Sequence, residues 1–301
     1  MHPIKPTVSV IIPTYNRAST LARSITSVLC QTFSDIEVIV VDDASTDHTE
    51  SVVKAFSDAR LHYERLVSNV GGAEARNCGI RMARGEYIAF QDSDDEWCCT
   101  KLESAVGRLK ASPHVGGVFS AFIQTWDSGC RQMPLWSGLE NKKSLYEKLL
   151  WRNVVDTPTV VVRRSCLDEA GGFDAQMPRY QDWDLGLRLT AVTTLEYLKD
   201  PLIVSHVTDG SISHDQKAHA TALQILYEKN RGAIDKDRAL KAAWLHRLGD
   251  ARMLVGDLRG RRMLLAAWLK HPFSVRVLVK ALLSLLPGRQ TYSLVKTSFS
   301  R

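Results

Sequence analysis

Four apolar runs between residues 8 and 90 constrain this chain more than any other feature. VSVII (8–12), IEVIVV (36–41), LHYERL (61–66) and YIAF (87–90) are short and rich in β-branched or aromatic residues, which is strand composition. Between the runs the apolar period changes. Leu21, Ile25, Val28 and Leu29 fall at i, i+4, i+7 and i+8; Thr46 through Phe56 follow the second run, and AEARNCGIRMAR, closed by Gly85, follows the third. Such spacing predicts helices. The order βαβαβαβ needs crossover connections and therefore a parallel sheet. IEVIVV shows no apolar/polar alternation over its last four residues, as expected of a strand covered by helices on both faces.

Ligands of such sheets sit beyond the carboxyl ends of the strands. Pro13-Thr14-Tyr15-Asn16-Arg17, Asp42-Asp43 and Asp92-Ser93-Asp94 all fall there. The stretch FQDSDDEW (90–97) crowds Asp92, Asp94, Asp95 and Glu96 behind a strand. Their mutual repulsion calls for a cation or for hydrogen-bond donors. A D-x-D pair suits Mg²⁺ or Mn²⁺, hard cations that take oxygen ligands and accept a shell completed by substrate phosphates. The plainer alternative is a set of solvated loop acids.

VSVIIPTYNRASTLARSITSVLCQT, IEVIVVDDASTDHT, GGAEARNCGIRMARGEYIAFQDSDDEW and GGFDAQMPRYQDWDLGLRL occur in this order. Together they closely resemble family 2 glycosyltransferases of the GT-A fold, over about residues 6 to 214. The resemblance implies an α/β fold, a Rossmann-like and mostly parallel sheet flanked by helices. It implies an inverting enzyme that uses a divalent cation, Mn²⁺ or Mg²⁺, to move sugar from a nucleotide-sugar donor. By the same resemblance Pro13, Tyr15 and Arg17 border the base and ribose, and Asp43 (or Asp42) accepts from the uracil or thymine N3–H, favouring UDP- or dTDP-sugars. Arg76 approaches the nucleotide, with Asp92, Ser93 and Asp95 lining the donor site. Asp94 holds the metal with help from Asp92 or Asp95. Asp182 is the catalytic base, although Gln181 stands where the family usually has Glu. Asp184 is the reserve base, and His206 or His214 the metal-binding histidine. A saccharide or lipid-linked acceptor, in cell-surface polysaccharide or glycolipid synthesis, follows from the same likeness.

Chemistry of other classes fits less well. A nucleotidyltransferase needs a Gly-rich, basic loop where this chain has PTYNR, and a phosphatase with a D-x-D nucleophile needs Thr or Val where Glu96 stands. A non-catalytic sugar-nucleotide-binding protein would not need Asp182.

From 97 to 210 the pattern loosens into a helix (97–110), strands near 115–122 and 160–162, and a helix over about 182–190. Beyond 214 it reads helical, with breaks at Gly256-Asp257, His271-Pro272 and Pro287-Gly288. Two regions are expected: a catalytic domain over 1–214 and a basic helical region over 215–301. Residues 211–301 hold 17 Lys+Arg against 6 Asp+Glu, a net +11, whereas residues 1–210 hold 22 against 27, a net −5. The positive charge is spread over several helices with few aromatics between, which argues against nucleic acid and fits peripheral docking on an anionic bilayer. No apolar stretch approaches the ~18 to 20 residues of a membrane span. The N-terminus shows no signal-peptide cleavage pattern, so a cytoplasmic protein is expected, in peripheral contact with the inner face of the plasma membrane. Cysteines 30, 78, 98, 99, 130 and 166 have no zinc-ligand spacing and are expected to be reduced thiols.

Overall fold

The structure is a computed structural model that describes residues 5–126, 129–134, 136, 143–206, 215–270 and 275–284. The four runs form β1 (Val8–Thr14), β2 (Ile36–Asp42), β3 (Leu61–Arg65) and β4 (Tyr87–Phe90). The intervening segments form α1 (Leu21–Leu29), α2 (Thr49–Lys54) and α3 (Gly72–Met82). β1 pairs in parallel with β2 and β4, and β2 with β3. Every residue of β1, β2 and β4 is buried, whereas the edge strand β3 alternates between half-buried and exposed. α1 buries Leu21, Ile25 and Val28. α3 lies so close on β1 that a Cβ at Gly79 would stand 2.4 Å from the Ile11 side chain.

The looser part adds antiparallel partners, so the sheet as a whole is mixed. β5 (Glu96–Trp97), β6 (Val115–Trp126), β7 (Gly129–Met133), β8 (Val160–Arg163) and β9 (Thr194–His206) extend it. The strand order is β3-β2-β1-β4-β8-β6-β9-β5, with β7 paired to β6. β4–β8, β8–β6, β6–β7 and β9–β5 are antiparallel, and β6–β9 is parallel. The helix expected from 97 begins later, as α4 (Lys101–Ala111), because Trp97 pairs with Ile203 in the sheet. α5 (Leu145–Trp151), α6 (Arg164–Ala170) and α7 (Gln181–Val192) cover this half.

The chain forms two compact units, Met1–Gln176 with Gln181–Asp209, and Met177–Tyr180 with Gly210–Arg301. The second is built from α8 (Gln216–Ile234), α9 (Arg238–Leu254), α10 (Arg259–Lys270) and α11 (Val275–Leu283). The sequence reading missed the break between α8 and α9. It is set by Asp237, whose carboxylate accepts from the amides of Ala239 and Leu240, satisfying two otherwise unpaired helix-end donors. The Gly256-Asp257 break is observed between α9 and α10, while those at His271-Pro272 and Pro287-Gly288 lie outside the described residues. Trp244 is fully buried. α9 and α10 meet at Gly249 and Gly260, where a Cβ on Gly260 would lie 2.6 Å from the Gly249 carbonyl. Among the described residues no helix is long and apolar enough to cross a membrane.

Candidate active site

At the carboxyl ends of the parallel strands, register aligns Thr14, Asp42 and Arg65 across β1, β2 and β3. The turns after β1 and β2 are knitted together. Asn16 N donates to Ser45 Oγ (2.9 Å), Thr46 N to Asn16 Oδ1 (2.8 Å), and Ala18 N to Asp47 Oδ2 (3.1 Å). Asn16 (φ 52°) and Ala44 (φ 62°) both occupy the left-handed region, an unfavourable setting for Ala that the cross-bonds hold in place. Pro13 is buried within β1, opposite Val41. Tyr15, 45% exposed, presents its ring at the rim.

Asp42 and Asp43 are both buried. Asp42 accepts from Ser45 N (2.8 Å) and Tyr63 Oη (2.5 Å), and Asp43 from Val70 N (2.7 Å) and Gly71 N (2.8 Å). Asp43 thus fixes the loop that leads into α3. Gly71 there has φ +88°, open to glycine at little cost.

The acid loop after β4 is held by its backbone. Ser24 Oγ donates to the Asp92 carbonyl (3.0 Å), Arg23 to that of Asp94 (2.6 Å), and Gln91 Nε2 to that of Asp95 (2.8 Å). The side chains are then free to differ. Asp92 accepts from Arg76 at 2.6 Å. Asp94 has Arg17 at 3.8 Å, and burial, with the nearby Asp92 charge, raises its pKa above the ordinary carboxylate value. Asp95 is buried and accepts from His206 N (3.1 Å); burial, then Asp92 and Asp94, push it up to about 8. Ser93 is buried. His206 lies beside the loop with both ring nitrogens engaged, Nε2 at 3.0 Å from Glu96 and Nδ1 at 3.2 Å from Thr125 Oγ1. His214 lies outside the described residues.

Arg76 joins this loop to α7. Besides Asp92 it reaches Gln181 Oε1 at 3.3 Å, and its guanidinium lies 5.5 Å from the Phe173 ring centre. Asn77, next in α3, donates to the Phe173 carbonyl (2.8 Å) and accepts from its amide (2.9 Å), pinning that segment. Asp182 accepts from Asn153 Nδ2 at 2.7 Å. Its pKa is raised, chiefly by burial, beside an apolar pocket lined by Phe90, Val155, Val160, Phe173 and Leu189. Asp156 is raised to about 8 by burial and by the Asp182 and Asp92 charges. Asp184 is buried and forked by Arg188 at 2.7 and 2.9 Å, an i,i+4 pair internal to the helix.

Among the described residues, no three His, Cys, Asp or Glu side chains converge on a metal position. The arrangement is therefore an open half-site of carboxylates, with the guanidiniums of Arg76, Arg17 and Arg23 around them.

The profile of the family described as Glycosyl transferase family 2 matches residues 9–171, more than half of the chain. The chain belongs to glycosyltransferase family 2. Among similar proteins, the putative teichuronic acid biosynthesis glycosyltransferase TuaG of Bacillus subtilis is 30% identical over 80% of this chain and 93% of its own length. The UDP-Glc:alpha-D-GlcNAc-diphosphoundecaprenol beta-1,3-glucosyltransferase WfaP of Escherichia coli is 41% identical, over 33% of this chain and 39% of its own length. In fold, TarS 1–349 of S. aureus, solved with UDP-GlcNAc, superposes with a TM-score of 0.64 at 20% identity, over 98% of this chain and 93% of that one. The fold of this family 2 glycosyltransferase is thus GT-A.

Five residues of the glycosyltransferase's cleft escaped the sequence reading: Arg23, Ser24, Gln91, Asn153 and Asp156. Arg23 and Ser24 sit on an otherwise ordinary helix, and nothing in their spacing points to the acid loop. Asp156, an acid before Thr157-Pro158 in a loosely patterned stretch, offered the one readable signal.

Proposed function

We propose that this glycosyltransferase moves a sugar, with inversion, from a UDP- or dTDP-sugar to a hydroxyl of a saccharide or lipid-linked acceptor in cell-surface polysaccharide or glycolipid synthesis. Catalysis is assigned to residues 1–214, with 215–301 as a basic helical region that keeps the enzyme peripheral on the inner face of the plasma membrane. One observation carries the reading. Arg76 touches both Asp92 of the acid loop and Gln181, the neighbour of Asp182, so donor-side acids and a candidate base share one cleft. The WfaP name, with its UDP-glucose donor and diphosphoundecaprenol-linked acceptor, and the UDP-GlcNAc in TarS support the donor and acceptor classes.

The acid loop fits a hard divalent cation. Asp94 offers carboxylate oxygens beside Asp92 in a partly desolvated position where negative charge is disfavoured. One or two carboxylates with substrate phosphates are the usual protein share for Mg²⁺ or Mn²⁺. When bound, the cation neutralises charge that grows on the leaving diphosphate. Asp94 and Asp92 would hold it; His206 would join only by giving up its bond to Glu96 or Thr125.

The remaining roles fall to the chain's own groups. Tyr15 offers a stacking face and Arg17 a fork of donors to the nucleotide. Asp43 or Asp42 reads the base N3–H, and Asp92, Ser93 and Asp95 shape the donor pocket. Asp182, held by Asn153 through Oδ2, takes the proton from the attacking hydroxyl. Its raised pKa moves it toward neutrality, where a general base works best. A panel of nucleotide sugars, scored for UDP or dTDP release with and without Mn²⁺, tests the reading. Mn²⁺-dependent release from a UDP- or dTDP-sugar, abolished in Asp94→Ala, is expected; no release from any donor would refute it.

A further inference from the structure

We propose that the outer face of α10 docks on an anionic lipid bilayer, a surface that deepens the acceptor side of the functional reading and rests on that reading for its biological purpose. Leu258, Leu265 and Leu269 are 58%, 52% and 60% exposed, and Arg262 is exposed between them. Residues 262, 265 and 269 stand at i, i+3 and i+7, so they form one stripe along α10, with Leu258 just ahead of its first residue. The opposite face is already committed: Gly260, Leu264 and Ala267 are buried, and Gly260 and Leu264 lie against Gly249 of α9. Three exposed leucines in a row are therefore not required to hold α10 in its bundle.

Charge selects the partner. Residues 258–270 contain Arg259, Arg261, Arg262 and Lys270 and no acid. Asp257 answers Arg259 at 2.9 Å, but the wider segment 211–301 retains its net +11. A second copy seated on this stripe would bring Arg262 toward its own counterpart in a basic setting, which like-charge repulsion opposes. An anionic bilayer accepts both features: leucines enter the acyl boundary while Arg262 meets headgroup phosphates. At 1.5 Å per residue α10 is about 18 Å long, too short to span and suited to lying flat.

The test uses the full chain and vesicles of pure phosphatidylcholine or of phosphatidylcholine with 30% phosphatidylglycerol (about 30% being a common anionic content). Co-sedimentation with the anionic vesicles only, weakened by salt, is expected. Leu265→Glu/Leu269→Glu should lower partition by at least about tenfold and Arg262→Glu by roughly fivefold or more, with thermal unfolding unchanged since all three side chains are exposed. No binding by the wild type, or binding that these variants leave intact, overturns the proposal. So does light scattering showing a wild-type dimer that the double variant splits while vesicle binding persists, which would give the stripe to a second copy. UDP release in vesicle-free solution should survive both variants. Its absence from the wild type would refute glycosyl transfer and leave the vesicle result to be judged separately.

Discussion

Arg76 pairs with Asp92 at the acid loop, and Arg76→Met tests whether that guanidinium answers the charge the proposed cation would otherwise meet. The guanidinium side chain is 13% exposed and its partner Asp92 30% exposed, at 2.6 Å. Methionine keeps most of the length and packing against Phe173 but leaves Asp92 unanswered beside Asp94. Removing one partner of a buried pair destabilises by about 3–5 kcal/mol, and of an exposed pair by about 1 kcal/mol or less. Partial exposure of Asp92 puts the expected loss near 2 kcal/mol. Urea unfolding should show this as a lower midpoint at unchanged slope. Mn²⁺ alone should then recover on the order of 1 kcal/mol in the variant, because a paired-carboxylate site freed of its guanidinium binds the metal more tightly, and should do much less for the wild type. A loss below about 0.5 kcal/mol, or equal stabilisation of both proteins by Mn²⁺, would refute the reasoning.

Two further expectations concern buried charge. Lys101 is fully buried over the Trp97 ring, 4.1 Å from its centre, and burial lowers its pKa from 10.5 to about 7. A depressed amine destabilises most below pH 7, and the penalty shrinks as pH rises toward the unfolded value. The shift corresponds to about 5 kcal/mol, which a desolvated cation–π contact offsets by about 2. Lys101→Met should therefore be more stable by about 3 kcal/mol at pH 6, with the gain fading by pH 10 in denaturant titrations. Asp156, raised to about 8, has the opposite window: the native carboxyl holds its proton longer, so wild-type stability falls as pH climbs from about 4 to about 8. The undiminished shift makes the Asp156→Asn gain over wild type about 4 kcal/mol at pH 9 relative to pH 5. The half-buried setting of Asp156 screens this to on the order of 2 kcal/mol; a pH-independent difference would show that its charge is not confined as described.

The parallel half of the sheet, β1 to β4, was legible because its signal is local. β1, β2 and β4 are fully buried apolar runs beside the half-exposed edge strand β3, and the acids that follow β2 and β4 need only strand ends to bring them together. Legibility failed where pairing is long-range. Trp97 reads as the start of a helix, yet it closes the sheet edge against Ile203, 106 positions away. The same holds within the site. Asp92 and Asp94 could be singled out from type and place and Asp182 from the family resemblance, while the partners that orient them depend on packing. Asn153 meets Asp182 from 29 positions away and Arg23 meets the Asp94 carbonyl from 71. The Gln181 substitution also becomes intelligible: a neutral amide accepts from Arg76 without competing for the full charge that Asp92 uses.

The most direct test of the account is the transfer rate of Asp182→Asn, measured beside its affinity for the donor nucleotide. A general base typically contributes about 10²- to 10⁴-fold, and the amide keeps the shape of the side chain. Transfer should fall by at least about 100-fold while UDP affinity in Mn²⁺ stays at the wild-type value. Transfer near the wild-type rate would contradict the assignment of Asp182 as the base.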